Sequence, residues 1–297
     1  MLQNLVSVIV PTVGKSRMLS QVLDAIFEQS YPSIEVILVD DSPGSEASSL
    51  LKSISDQYRN HIKCVATGGL GLPAARNFGA GFARGNYLAF CDDDDIWWPG
   101  KIEFQVAALK EAELGFHVAN YDVVSDDGKN LGDKSEQVRL SFPESLQLSA
   151  FAPPSSWLME KRIFENLRGF DESFLSTEDK DFYLRASMRE PILRSGATLW
   201  SYRISHGAIS RDSSRKLKYN LQLIEKHRAH IIEHGEYARG VMTFAVKLTC
   251  ASKDKKNTCR VVRLYLKSSA SFKTKLYFVV YSGFWSIFSE TAARKVS

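Results

Sequence analysis

The chain has 297 residues, 44% hydrophobic and 24% charged, an ordinary globular composition with enough length to bury a full core. A net charge of +4 is too small to imply nucleic acid. No apolar run approaches the ~18 residues that span a bilayer, no basic leader follows Met1, and the four cysteines lack zinc-ligand spacing, so reduced thiols in a cytoplasmic protein are expected.

Charge is unevenly spread. From Cys250 to Ser297 ten Lys and Arg face only Asp254 and Glu290, so this tail carries +8 and the remainder −4. In chain order, Val6 to Pro11 is a β-branched run that reads as a buried strand, and Leu19, Val22, Leu23, Ile26 and Phe27 mark one face of a helix. Ile34 to Val39 is a second buried strand ending at Asp40-Asp41-Ser42-Pro43-Gly44. A helix over about Ser45 to Tyr58, a strand over Ile62 to Ala66, a helix opened by Gly68-Gly69-Leu70-Gly71-Leu72-Pro73 and a strand over Asn86 to Cys91 follow. Strand and helix alternate, which predicts an α/β domain with a mostly parallel sheet and helices on both faces. In such sheets ligands bind at the carboxyl ends of the strands, where Pro11-Thr12, Asp40-Asp41 and the run Asp92-Asp93-Asp94-Asp95 should gather.

The pattern loosens after about Lys110. Strands are expected over Phe116 to Val124, Ser155 to Met159 and Thr198 to Arg203, a turn at Ser125 to Gly128, and a short helix within Phe142 to Phe151. Thr177-Glu178-Asp179-Lys180-Asp181 opens a helix with Thr177 as its cap, and from Ser213 the period is helical, with Leu217, Leu221, Ile224 and Ile231 on one stripe.

The four aspartates pose a charge problem, because like charges repel and an unpaired carboxylate in a dry site is costly. A divalent cation, which takes hard oxygen ligands and often carries phosphates, answers it; a solvated acidic turn is the competing reading. Gly69-x-Gly71-x-x-Ala74 mimics a dinucleotide fingerprint but lies in the third βα turn, where helix entry accounts for the glycines. Arg76 is either a surface arginine or a guanidinium offsetting nucleotide charge. Glu178-Asp179 is either first-turn helix chemistry or a general base, and His206 either an ordinary histidine or a metal ligand. Trp97-Trp98 could be core or a stacking wall; Trp157 and Trp200 read as core.

In order, these pieces resemble family 2 inverting glycosyltransferases of the GT-A fold, over about Leu5 to Arg211. The matching segments are Val8-Ile9-Val10-Pro11-Thr12, Val39-Asp40-Asp41-Ser42, Ala75-Arg76-Asn77-x-Gly79 and Ala83-x-Gly85-x-Tyr87. Phe90-Cys91-Asp92-Asp93-Asp94-Asp95-x-Trp97, Gly169-Phe170-Asp171-Glu172 and Glu178-Asp179-x-Asp181-x-x-x-Arg185 complete the set. Arg168 departs from the pattern, standing where members often have a glycine, and Ala119 to Ser155 carries no family signature.

The resemblance implies a catalytic domain over 1–211; beyond it, the helical period and the basic charge mark an amphipathic helical extension over 212–297. It implies a nucleoside-diphosphate sugar donor, most readily a UDP-sugar, and a saccharide or lipid-linked acceptor in cell-surface polysaccharide or glycolipid assembly. Pro11, Thr12, Asp40, Asp41, Arg76 and Asp93 would hold the nucleotide. Asp92 and Asp94, with His206, would hold Mn²⁺ or Mg²⁺. Asp179, with Glu178 beside it, would be the base of a single displacement. A nucleotidyltransferase-like or catalytically degenerate sugar-nucleotide binder is the alternative. Outside the resemblance, Leu276 to Tyr281 and Phe284 to Phe288 are apolar and aromatic beside the +8 charge. They suit an interfacial helix on an anionic membrane at its cytoplasmic face, or a helical cap.

Overall fold

Aliphatic and β-branched runs build a central sheet. In a computed structural model, residues 2–14, 16–43, 58, 61–125, 130–134, 138–147, 151–204, 213–280 and 282–283 are described. The chain divides into two units, Met1–Leu140 with Ala152–Ala208, and Ser141–Phe151 with Ile209–Ser297.

In the first unit, β1 (Leu2–Thr12), β2 (Ile34–Asp40), β3 (Ile62–Ala66) and β4 (Gly85–Phe90) run parallel, in the order β3-β2-β1-β4. β9 (Trp157–Glu160) lies antiparallel between β4 and β6 (Phe116–Ser125), and β10 (Ile192–Ile204) runs parallel to β6. Short strands β5 (Ile96–Trp97), β7 (Asn130–Lys134) and β8 (Val138–Leu140) add antiparallel edges. The expected parallel alternation therefore forms the amino-terminal half, and the sheet is mixed beyond β4.

Val6, Val8, Val10, Val36 and Leu38 point to one face, where α1 (Leu19–Phe27) buries Leu19, Val22, Leu23 and Ile26 and α3 (Lys101–Ala112) buries Ile102, Val106 and Leu109. α2 (Leu72–Ala80) covers the other face. A Cβ on its Gly79 would lie 2.6 Å from Val39 Cγ2 and 2.8 Å from Ile9 Cγ2, so only a residue without a side chain allows this approach. Further along, the rings of Phe90, Phe164, Phe170 and Phe182 pack with centroids 5.1–5.6 Å apart, seating α4 (Lys161–Asn166) and α5 (Glu178–Ser187) on the sheet.

Several expectations change in detail. α3, not anticipated, starts after Pro99 and Gly100, whose φ of 81° glycine tolerates. Pro154–Ser156 forms a 3₁₀ turn ahead of β9, and the described part of the expected helix within Phe142 to Phe151 holds a 3₁₀ turn at Glu144–Gln147, residues 148–150 lying outside the described residues. Thr177 does not cap α5 through its side chain; its φ is 69° and its hydroxyl has no partner among the described residues. The helix expected over Ser45 to Tyr58, apart from Tyr58 itself, and most of the turn at Ser125 to Gly128 lie outside the described residues. All four cysteines are free thiols.

The second unit is helical: α6 (Ser213–Lys226), α7 (Arg228–Glu233), α8 (Gly235–Ala251), α9 (Lys255–Leu266) and a further helix over residues 272–280. Leu217, Leu223, Ile224, Ile231, Val241, Met242, Val261 and Phe278 are buried in it, and Asp254 caps α9 by accepting from Asn257 N–H at 3.0 Å. No described helix is long and apolar enough to cross a membrane.

Candidate active site

Register brings the strand ends together. Thr12 on β1 pairs with Asp40 on β2, and Cys91 N–H donates to Ile9 O at 3.0 Å, which delivers Asp92 to Asp95 to the same edge. Pro11 is buried inside β1, with no N–H to offer, and Thr12 is the residue that faces the loop. Its hydroxyl donates to Asp93 Oδ2 at 2.5 Å and accepts from Gly14 N–H at 3.1 Å. Ser16 Oγ donates to Asp93 O at 2.6 Å, so the β1–α1 loop grips the aspartate loop from both sides of Asp93.

The two β2 aspartates divide their work. Asp41 accepts from Leu70 N–H at 2.7 Å, Gly71 N–H at 2.9 Å and the Thr67 hydroxyl, and so fixes the glycine-rich entry to α2. Asp40 accepts from Ser42 N–H at 2.9 Å through Oδ1, while its buried Oδ2 has no hydrogen-bond partner among the described residues. Asp40 is thus the one of the pair with an acceptor to spare.

Arg76 is buried, 1% exposed, and forms a fork. Nη2 lies 2.6 Å from Asp92 Oδ1 and Nη1 lies 2.8 Å from Glu178 Oε1. A charged residue one turn into α2 therefore ties the aspartate loop to the start of α5, and the guanidinium suits two planar carboxylates as a lysine would not. Neighbouring Asn77 joins α2 to the segment before α5. Its Nδ2 donates to Phe170 O and Glu172 Oε1, both at 2.9 Å, and its Oδ1 accepts from Phe170 N–H at 2.8 Å. Arg185, one face further along α5, donates to Asp181 Oδ2, Leu167 O and Gly169 O at 2.7–2.9 Å. Arg168 adopts φ 58° and Gly169 φ 68°, a left-handed pair that glycine tolerates better than arginine.

At the start of α5 the two acidic residues differ. Glu178 is buried in its ion pair, and loss of water, with Asp179 beside it, pushes its carboxyl up to about 7 against the pull of Arg76. Asp179 is half-buried and accepts from Lys180 N–H at 2.8 Å; desolvation raises it above the ordinary carboxylate range, opposed by Lys180 and Arg76. Thr177 precedes them with a left-handed backbone that a β-branched residue adopts at a cost of about 1–3 kcal/mol.

Desolvation also raises Asp93, to about 6, with Thr12 opposing, and raises Asp95, which Asp92 and Asp94 push further. Asp95 is buried, its Oδ1 accepts from Arg203 N–H at 3.3 Å, and its Oδ2 has no hydrogen-bond partner among the described residues. Among the described residues the carboxyl groups of Asp92 to Asp95, Glu178 and Asp179 gather around Arg76, with Lys180 acting on Asp179. This all-oxygen, charge-excessive donor set fits a hard divalent cation, although among the described residues no three His, Cys, Asp or Glu side chains converge as a ready-made cage. Asp92 and Asp94 are half-buried on the same turn. His206 lies outside the described residues.

Sequence reasoning missed Ser155. Its Oγ accepts from Asp92 N–H at 3.0 Å and opposes the rise of the Asp95 carboxyl, while its carbonyl accepts from Trp97 Nε1–H at 3.0 Å. The available signal was a Pro-Ser-Ser turn just ahead of a buried strand. Trp97, Trp157 and Trp200 are core; Trp98 is exposed and donates to Ser201 Oγ at 3.0 Å.

The chain as a whole is similar to known proteins. The description "Glycosyl transferase family 2" matches residues 7–168, more than half of the chain. Glycosyltransferase GlyA of Streptococcus pneumoniae is 28% identical over 233 residues, which are 73% of this chain and 33% of the relative. A UDP-Glc:alpha-D-GlcNAc-diphosphoundecaprenol beta-1,3-glucosyltransferase, WfgD of Escherichia coli, is 24% identical over 219 residues, 72% of this chain and 83% of the relative. Among solved structures, S. aureus TarS 1–349 in complex with UDP-GlcNAc superposes with a TM-score of 0.67 at 15% identity, covering 99% of this chain and 92% of that one. The chain spans about a third or less of the length of the first curated relatives it matches. The fold is GT-A, and the chain belongs to glycosyl transferase family 2.

Proposed function

We propose that the chain transfers a sugar from a nucleoside-diphosphate sugar, a UDP-sugar foremost, to a hydroxyl of a saccharide or lipid-linked acceptor, with inversion. The observation that carries this reading is the Arg76 fork, which joins a strand-end carboxylate loop to the acidic start of α5. One loop can then hold the donor while the other meets the acceptor. The catalytic part is assigned to residues 1–211, and the basic extension over 212–297 to a membrane surface where a lipid-linked acceptor in cell-surface glycan assembly would lie. The UDP-GlcNAc in TarS and the diphosphoundecaprenol acceptor in the name of WfgD support these choices of donor and acceptor class.

In this account Asp40, with its spare Oδ2, and Asp93, held by Thr12, receive the nucleoside. Asp41 and Arg76 act one step back, Asp41 by fixing the α2 entry and Arg76 by fixing Asp92 against Glu178. Asp92 and Asp94 would hold Mn²⁺ or Mg²⁺, with His206 as a further ligand. The bound ion would supply positive charge against the departing diphosphate. Asp179, half-buried and raised by desolvation, takes the proton from the acceptor hydroxyl as that oxygen attacks the anomeric carbon. Glu178 is a positioning residue, committed to Arg76.

The test is release of nucleoside diphosphate from a panel of sugar nucleotides, with Mn²⁺ or Mg²⁺ and with chelator. One donor should be turned over only with metal, and Asp179→Asn should bind it yet fail to transfer. Transfer by Asp179→Asn at the wild-type rate would remove the base assignment, and no turnover of any donor would remove the reading.

A further inference from the structure

The helix over residues 272–280 wears its apolar side outward. At about 100° per residue, Phe272, Leu276, Val279 and Val280 fall on one stripe. Their exposures are 81%, 53%, 40% and 63%, against 1% for Phe278 on the opposite side, whose ring packs 4.3 Å from that of Tyr265. The helix is thus anchored in its unit by Phe278 and Ser282, and it presents to solvent the residues that a soluble amphipathic helix would bury. The edges of the stripe are equally telling. Lys275 falls on one side, Lys273 and Tyr277 on the other, and the Arg239 guanidinium lies 6.0 Å from the Tyr277 ring.

We infer that this face docks on an anionic phospholipid bilayer, with Phe272, Leu276, Val279 and Val280 entering the interface and Lys273 and Lys275 reaching lipid phosphates. An apolar stripe edged by lysines is the pattern of a helix lying in the interface plane, because the long side chains reach back to the headgroups. Charge selects this occupant over a neutral protein groove: Cys250 to Ser297 carries +8, and a negative surface attracts such a segment at short range. The inference deepens the membrane placement proposed above and rests on it. It also names which residues make the contact, and those residues take no part in the donor site.

The experiment is co-sedimentation of the full chain with vesicles of phosphatidylglycerol and phosphatidylcholine in equal parts, and with phosphatidylcholine alone. The chain should pellet with the anionic vesicles only, and raised salt should weaken the binding. Lys273→Gln with Lys275→Gln should lower partitioning on the order of 30-fold. Phe272→Ser with Leu276→Ser should leave the chain in the supernatant. Phe272, Lys273 and Leu276 are exposed and Lys275 is half-buried at the helix edge, so the variants should keep the wild-type melting midpoint and wild-type release of nucleoside diphosphate measured without vesicles. That second readout separates failure here from failure of the transferase reading. Wild-type protein that stays in the supernatant with both vesicles would overturn the inference. So would a concentration-dependent dimer lost in Phe272→Ser with Leu276→Ser, which would give the face to a second copy.

Discussion

Arg76→Gln removes the guanidinium that joins the two acidic loops. Arg76 Nη2 and Nη1 lie 2.6 Å from Asp92 and 2.8 Å from Glu178, and a glutamine side chain reaches neither with charge. The Glu178 side chain is 7% exposed, so it would keep a buried carboxyl without a cation. Breaking a buried pair by removing one partner costs about 3–5 kcal/mol, and the lower end applies because Asp92 is partly hydrated. In a unit of this size each kcal/mol moves the midpoint by about 2–4 °C, so a fall of about 6–12 °C is expected. Circular dichroism melts at neutral pH measure it. Adding Glu178→Gln should return about half of the loss, because the stranded charge goes with it. A single variant melting within about 2 °C of wild type, or a double variant worse than the sum of its parts, would refute the reasoning.

Gly79→Ala inserts a methyl 2.6 Å from Val39 Cγ2, and overpacking of about 1–3 kcal/mol should lower the melting midpoint without changing metal dependence. Asp41→Asn replaces an acceptor of the Leu70 and Gly71 N–H groups by an amide whose NH₂ opposes one of them, so nucleoside diphosphate affinity should fall in titration calorimetry. Lys101 gives a pH test. Burial lowers its folded pKa from 10.5 to about 7, with Cys91 opposing, while the unfolded chain stays protonated up to about 10.5. Between those values the unfolded state holds more protons, so stability should rise with pH across that window and the penalty should be fully present below it. Urea midpoints of Lys101→Met should lack this rise; curves parallel to wild type would contradict it.

Strand-end chemistry was legible because the runs at β1, β2 and β4 are aliphatic, buried and end abruptly in polar residues, so parallel pairing carried Thr12, Asp40 and Asp92 to one edge. The motif residues were legible as types but not as contacts. Arg76, expected at the nucleotide, forks to Asp92 and Glu178, and Asp41 accepts from two backbone N–H groups and the Thr67 hydroxyl, contacts that the motif does not announce. Those partners lie 16 to 102 positions away, beyond the reach of local pattern. Ser155 was missed for the same reason, since its only local sign was a turn. The outward stripe at Phe272 could not be told from a buried one by periodicity, because period fixes which residues share a face but not which way the face points.

Titration calorimetry with UDP and Mn²⁺ on three proteins tests the central claim most directly. The account predicts metal-dependent UDP binding by wild type, the same binding by Asp179→Asn, and its loss in Asp94→Ala. Binding by Asp94→Ala as tight as wild type with the metal present would contradict it.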